Sequence, residues 1–179
     1  MKNDRFIPPF FLDNPLRKVI TPPTRVVARF KDLLSPGMTV LDLGSGPGFF
    51  TGVLSSLVER GTVWAVDPDP RAVQRLKAKS FQNVIPIVAS ASNLPFLKDE
   101  SVDFVFSNLV LCCVVDHEGA MNETYRVMKR GGKAYVSSRR GRGKDPRDVN
   151  GEEWKRLISR FKVLRSGESF MEFWAVLEK

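Results

Sequence analysis

A chain of 179 residues suffices for one domain with a sizeable core and is too short for two ordinary ones. Its formal charge of +8 admits an acidic partner such as nucleic acid, or merely a basic solvated surface. No apolar run approaches the roughly 18 residues of a membrane span, and the two cysteines, adjacent at 112 and 113, supply neither a disulfide framework nor a tetrahedral zinc set. They read as reduced, small apolar residues, and no residue set reads as a metal site. The first fifteen residues, "MKNDRFIPPFFLDNP", carry an early acid and interrupting prolines, a poor secretory leader. The expectation is a cytoplasmic protein. Residues 1–23 form an N-terminal extension, either a lid over the site or a segment packed under the sheet, and 24–179 form one domain.

Residues 24–34 place Val26, Val27, Phe30, Leu33 and Leu34 on one helical face, and "SPG" stops them. The run "TVLDL" (39–43) reads as a strand and enters a glycine-rich turn. Residues 49–60 repeat apolar side chains at helical spacing, and Gly61 ends that helix. "TVWAV" (62–66) is a second strand. Asp69 followed by Pro70 starts a helix, an N-cap oxygen before a proline whose fixed φ suits the first turn. Strands are expected at 83–89, 101–108 and 133–138, with helices at 117–130 and 152–161. A terminal hairpin is expected from 161 to 179. Strands alternating with helices specify a parallel sheet covered on both faces, and the closing hairpin adds an antiparallel strand.

The turn "VLDLGSGPGFFT" (40–51) carries Gly44, Gly46 and Gly48 between a strand and a helix. Glycine permits a sharp turn and close ligand approach, and N–H groups at a helix start attract anions. A dinucleotide fingerprint would need its third glycine at position 49, which is Phe49. The segment instead resembles motif I of the class I S-adenosylmethionine-dependent methyltransferases, D/E-x-G-x-G-x-G, with Asp42 and the three glycines in place. "VWAVDPDP" resembles the second motif, with Asp67 as its acid. "NLPFLKDESVDFVFSN" and "ETYRVMKRGGKAYVSS" resemble the later segments of the small type 11 members. The resemblance implies a single doubly wound, mostly parallel seven-stranded sheet of the Rossmann-like methyltransferase fold, with an antiparallel C-terminal strand. It implies an enzyme using S-adenosyl-L-methionine. Cofactor positions carried over are Asp42, Gly44, Ser45, Gly46, Gly48, Asp67, Pro68, Ser90, Ala91 and Asn108. Asp42 faces the cofactor's ammonium and Asp67 its ribose hydroxyls, and Asp67→Ala is expected to leave the ligand-free protein's stability unchanged. Ser90 stands where the family often has an acid for the adenine amino group.

The acceptor side is less legible. "SNLVLCCVVDHEG" (107–119) lacks the [D/N]-P-P-[Y/F] of nucleic-acid amino-methylating enzymes and the Pro-Cys of RNA cytosine-C5 enzymes. His117, the sole histidine, reads as a general base with Asp116 beside it, or as a surface residue at a helix start that Asp116 caps. The basic segment 139–147 reads as an RNA or acidic-protein contact, or as a solvated loop. The methyl acceptor is open among small molecule, protein and RNA. The alternative function is a non-catalytic methyltransferase-fold protein that binds RNA or a partner subunit through its basic face.

Overall fold

The computed structural model describes residues 23–141 and 144–179. The expected N-terminal extension therefore lies outside the described residues, apart from Pro23. A short helix α1 (Pro23–Val27) and a 3-10 turn (Lys31–Leu33) replace the single helix expected over 24–34. The break has a packing cause. Phe30 is fully buried, with its ring 5.3 Å from Phe104, 5.3 Å from Phe106 and 5.1 Å from Tyr135. Burying a phenylalanine outweighs the few tenths of a kcal/mol per residue of helix propensity.

The chain then alternates. Strand β1 (Thr39–Leu43) leads to α2 (Thr51–Val58), β2 (Thr62–Asp67) to α3 (Pro70–Lys77), and β3 (Val84–Val88) to β4 (Val102–Asn108). Helix α4 (His117–Val127), strand β5 (Met128–Arg139), helix α5 (Gly151–Ile158) and the hairpin β6 (Lys162–Glu168) and β7 (Glu172–Glu178) complete it. The seven strands form one sheet in the order β3-β2-β1-β4-β5-β7-β6. The first five pair in parallel, and β7 runs antiparallel to both β5 and β6. Period-two alternation sorts the core: Leu41, Leu43 and Val105 bury on one face, and Val40, Phe104 and Phe106 on the other.

One boundary moves. The helix expected over 117–130 ends at Val127, and Met128 already pairs with Val102 across the sheet. The register then shifts, so that Phe104 pairs with Lys133. The extra residues form a bulge within β5 that includes Gly131 at φ +72°, a local irregularity that sequence spacing does not reveal.

The strand order reverses beside β1, where β2 leads one way and β4 the other. In an open α/β sheet this switch point is where a ligand crevice forms, beyond the C-terminal strand ends.

Candidate functional site

A cavity opens at that point. Asp42, Gly44, Ser45, Gly46, Asp67, Pro68, Ser90, Ala91 and Asn108 all line it. Gly48 does not, although it was expected among the cofactor positions. A side chain there would approach Leu76 Cδ1 of α3 to 2.5 Å, and its φ is +90°. Gly48 thus lets α3 pack against the turn. Gly44, at φ +73°, leaves room for Val110, whose Cγ2 would lie 2.3 Å from an added Cβ. The glycines are needed for close packing of the walls as well as for ligand access.

The turn's N–H groups are already committed. Gly44 and Ser45 donate to the Val66 carbonyl at 2.8 and 3.0 Å, Gly46 donates to Asp67 Oδ2 at 2.8 Å, and Gly48 donates to the Ser45 carbonyl at 3.0 Å. The expectation of exposed donors waiting for an anion is therefore corrected at these four positions. What the turn presents is a backbone whose N–H groups at these positions are already hydrogen-bonded within the protein.

Carboxylates dominate the charged lining: Asp42, Asp67 and Asp69 face the cavity, with no lysine, arginine or histidine among its described lining residues. Asp42 is 1% exposed and accepts a 2.6 Å bond from Thr51 Oγ1. Burial pushes its carboxyl up to about 7, against the pull of the Thr51 bond and with a further push from the Asp67 charge. Asp67 is also raised by burial, although Asp69 N and Gly46 N donate to its two oxygens at 2.9 and 2.8 Å. Asp69 is the helix cap it was expected to be, accepting from Arg71 N at 2.9 Å. Asp67 thus ties the glycine turn to β2, and its removal would orphan two backbone donors. Where the sequence alone suggests that Asp67→Ala leaves the ligand-free protein's stability unchanged, these two bonds lead to the opposite prediction.

The opposite wall follows β4. Asn108 Oδ1 accepts from Ser137 Oγ at 3.1 Å, and Leu109 N donates to Ser137. Leu109 sits at φ +59°, a left-handed conformation that costs a bulky residue about 1–3 kcal/mol. Its carbonyl accepts from the Cys112 thiol at 3.3 Å and the Cys113 thiol at 3.8 Å. Cys113 lines the cavity, a position the sequence reading missed. The Cys112 thiol is held below its ordinary value, chiefly by its hydrogen bond with Cys113, with help from the Arg139 backbone and charge.

His117 does not line the cavity. It is 4% exposed, its Nδ1 lies 2.8 Å from Glu153 Oε1 of α5, and its Nε2 is buried with no partner among the described residues. Both sequence readings of it, a base at the mouth and a surface residue, give way to an interhelical packing position. Asp116 caps α4 through Gly119 N at 2.8 Å. Ser90 lines the cavity, with its Oγ 3.2 Å from Ser92 Oγ.

Comparison with known proteins agrees with this architecture. A family model described as a methyltransferase domain matches residues 41–136, more than half of the chain. The bifunctional biotin biosynthesis protein BioHC of Cellvibrio japonicus is 39% identical over 100 residues, 55% of this chain and 19% of that protein. An arsenite methyltransferase of Halobacterium salinarum is 36% identical over 109 residues, 58% of this chain and 28% of that protein. The chain thus spans less than a third of the length of these two relatives. Among solved structures, a SAM-dependent methyltransferase from Aquifex aeolicus superposes with a TM-score of 0.81 at 26% identity, covering 97% of this chain and 98% of that one. An S-adenosylmethionine-dependent methyltransferase from Mesorhizobium loti shares the fold, with a TM-score of 0.76 at 14% identity over 90% of this chain and all of that one. The motif glycines and acids, the sheet order, the cavity at the switch point and these matches converge: the chain belongs to the class I S-adenosylmethionine-dependent methyltransferase family.

Proposed function

We propose that this protein transfers a methyl group from S-adenosylmethionine to an acceptor that approaches past residues 109–114. The observation that carries this reading is the charge of the cavity. Of its three lining carboxylates Asp69 is paired with the Arg71 guanidinium at 3.1 Å, which leaves Asp42 and Asp67, both raised by burial, without a cationic partner among the described residues, and the glycine turn keeps no donor spare at Gly44, Ser45, Gly46 or Gly48. An acidic cavity favours a cationic ligand and disfavours the diphosphate of a dinucleotide. S-adenosylmethionine carries an ammonium and a sulfonium, so the residues fit it. Asp42 would meet the ammonium and Asp67 the ribose hydroxyls. Pro68, Ser90 and Ala91 would border the adenine, and Asn108 would lie toward the transferable methyl. Gly44, Ser45 and Gly46 would form the floor, with Gly48 holding the turn in place.

When bound, the cofactor supplies a methyl activated by the positive sulfur. The chain's own contribution is positioning: the hydrogen-bonded turn fixes one side and the strained Leu109 segment shapes the other. An acceptor attacking through a lone pair needs no base. If a proton must leave, neither His117 nor Asp116 is placed to take it: both lie outside the cavity lining, His117 against Glu153 and Asp116 as the cap of α4. Residues 24–179 form the cofactor-binding domain. A cytoplasmic location is the reading that the sequence suggests, with no disulfide framework among its two adjacent cysteines. No helix among the described residues is long and apolar enough to cross a membrane.

The test is incubation with methyl-labelled S-adenosylmethionine in extracts fractionated into small molecules, protein and RNA, followed by mass spectrometry. Label is expected in one class and absent with Asp67→Ala. Cofactor binding without label in any class would favour the non-catalytic alternative.

A further inference from the structure

The tip of the β6–β7 hairpin is apolar where a turn is usually polar. Phe170 is 83% exposed and Met171 68% exposed. The tip is bound to the end of β5, since Arg140 N donates to the Met171 carbonyl at 2.9 Å. The Arg140 guanidinium lies 4.8 Å from the Phe173 ring centroid and donates to the Ser169 carbonyl at 3.4 Å, so it is held beside the tip. Its contact with Glu168 is a 4.0 Å pair between exposed groups, which neutralises little.

Arg139, the last residue of β5, is exposed and has no ion pair among the described residues. The acid across the sheet from it, Glu172, is taken by Arg29 at 3.2 Å. Lys144 is exposed nearby, whereas Arg147 is neutralised by Asp145 at 2.7 Å. The basic segment 139–147 thus divides into uncompensated cations and one internal pair. Arg142 lies outside the described residues.

This ridge borders the cavity. Ser137, two residues before Arg139, pairs with Asn108 at the cavity wall, and Arg139 contacts Cys112 beside the cavity-lining Cys113. An exposed aromatic face beside unpaired arginine and lysine is the combination that stacks an unpaired base and neutralises its phosphates. A duplex keeps its bases stacked and would leave Phe170 idle. A membrane surface would ask for a broader apolar face than one phenylalanine and one methionine.

We propose that Arg139, Arg140, Lys144 and the Phe170–Met171 tip bind single-stranded RNA and lead it along the ridge to the cavity mouth. That the RNA carries the methyl acceptor rests on the function proposed above; the binding itself does not.

The experiment measures binding of a fluorescent mixed-sequence 20-nucleotide RNA across a salt series, with S-adenosylhomocysteine calorimetry on the same proteins. Wild type should bind at low salt. Phe170→Ala should bind about tenfold more weakly with an unchanged salt slope, because a stack is lost and no charge. Phe170→Trp should restore affinity. Arg139→Gln with Lys144→Gln should flatten the log–log slope by about 1.4, at roughly 0.7 per contact. Calorimetry should be unchanged in every variant. The proposal is overturned if RNA fails to bind at low salt, if these variants bind as wild type does, or if single-stranded DNA of the same sequence binds better. It is equally overturned if anionic phosphatidylglycerol vesicles bind through Phe170 while RNA binding ignores that residue. Loss of S-adenosylhomocysteine binding in wild type with RNA binding intact would instead fail the methyltransferase reading and leave this one standing.

Discussion

The two walls of the cavity are built on opposite terms. On the β1–β2 side each turn residue is tied down: Gly44, Ser45, Gly46 and Gly48 all donate to protein acceptors, and Asp67 holds two backbone N–H groups. On the β4–β5 side Leu109 is in a left-handed conformation, a thiol lines the cavity, and the neighbouring ridge exposes Phe170. A wall whose polar groups are satisfied is preorganised for one ligand. A wall that keeps strain, thiols and unpaired cations is the one left to vary with the acceptor.

The largest effect should come from filling the rigid wall. Gly44→Ala combines a positive φ with a clash against Val110, and should destabilise the protein by about 3 kcal/mol, read by denaturant unfolding. A loss below about 1 kcal/mol would mean that the wall yields and the contrast is overstated.

Asp67→Ala comes next. It should weaken S-adenosylhomocysteine binding about ten- to a hundredfold by calorimetry. It should also cost the ligand-free protein about 1–3 kcal/mol, because Gly46 N and Asp69 N lose their acceptor. Lost affinity with intact stability would divorce ligand binding from the turn.

Asp42 gives a pH signature. Its folded carboxyl titrates near 7 and its unfolded one near 3.8, so the folded state holds the extra proton between those values. Stability should therefore fall as pH rises from about 4 to about 7, and stay reduced above. Asp42→Asn should abolish that slope and stabilise the ligand-free protein by about 1–2 kcal/mol at pH 8. The same variant should bind the cationic ligand more weakly. Thermal unfolding from pH 4 to 8 checks the first, and a parallel slope in both proteins would contradict it.

The smallest effect concerns the other wall. Cys113 lines the cavity, so saturating S-adenosylhomocysteine should slow its alkylation by iodoacetamide several-fold, followed by peptide mass spectrometry. Equal rates with and without ligand would put the thiol outside the occupied space.

The same contrast explains what could be read from the sequence. The rigid wall is local: Asp42 and the motif glycines lie within seven residues, and the strand-turn-helix context fixes their places. The helix cap at Asp69 and the closing hairpin are likewise written in short patterns. The other wall depends on distant partners. Cys113 faces the cavity because Leu109 turns left-handed against Ser137, 28 residues on. His117 is buried because Glu153 reaches it from 36 residues away. Helix α4 stops early because Met128 pairs with Val102. The donors of the glycine turn looked exposed in sequence because their acceptors, the Val66 carbonyl and Asp67, come from the next strand.

The central claim is that an acidic cavity selects a cationic S-adenosyl ligand over a dinucleotide. Calorimetry of wild type and Asp42→Asn with S-adenosylmethionine, S-adenosylhomocysteine and NAD, at pH 6 and pH 8, tests it most directly. The account predicts that both S-adenosyl ligands bind, that wild type binds them more tightly at pH 8 as Asp42 ionises, that Asp42→Asn loses this gain, and that NAD gives no heat. Binding of NAD with none of either S-adenosyl ligand would contradict it.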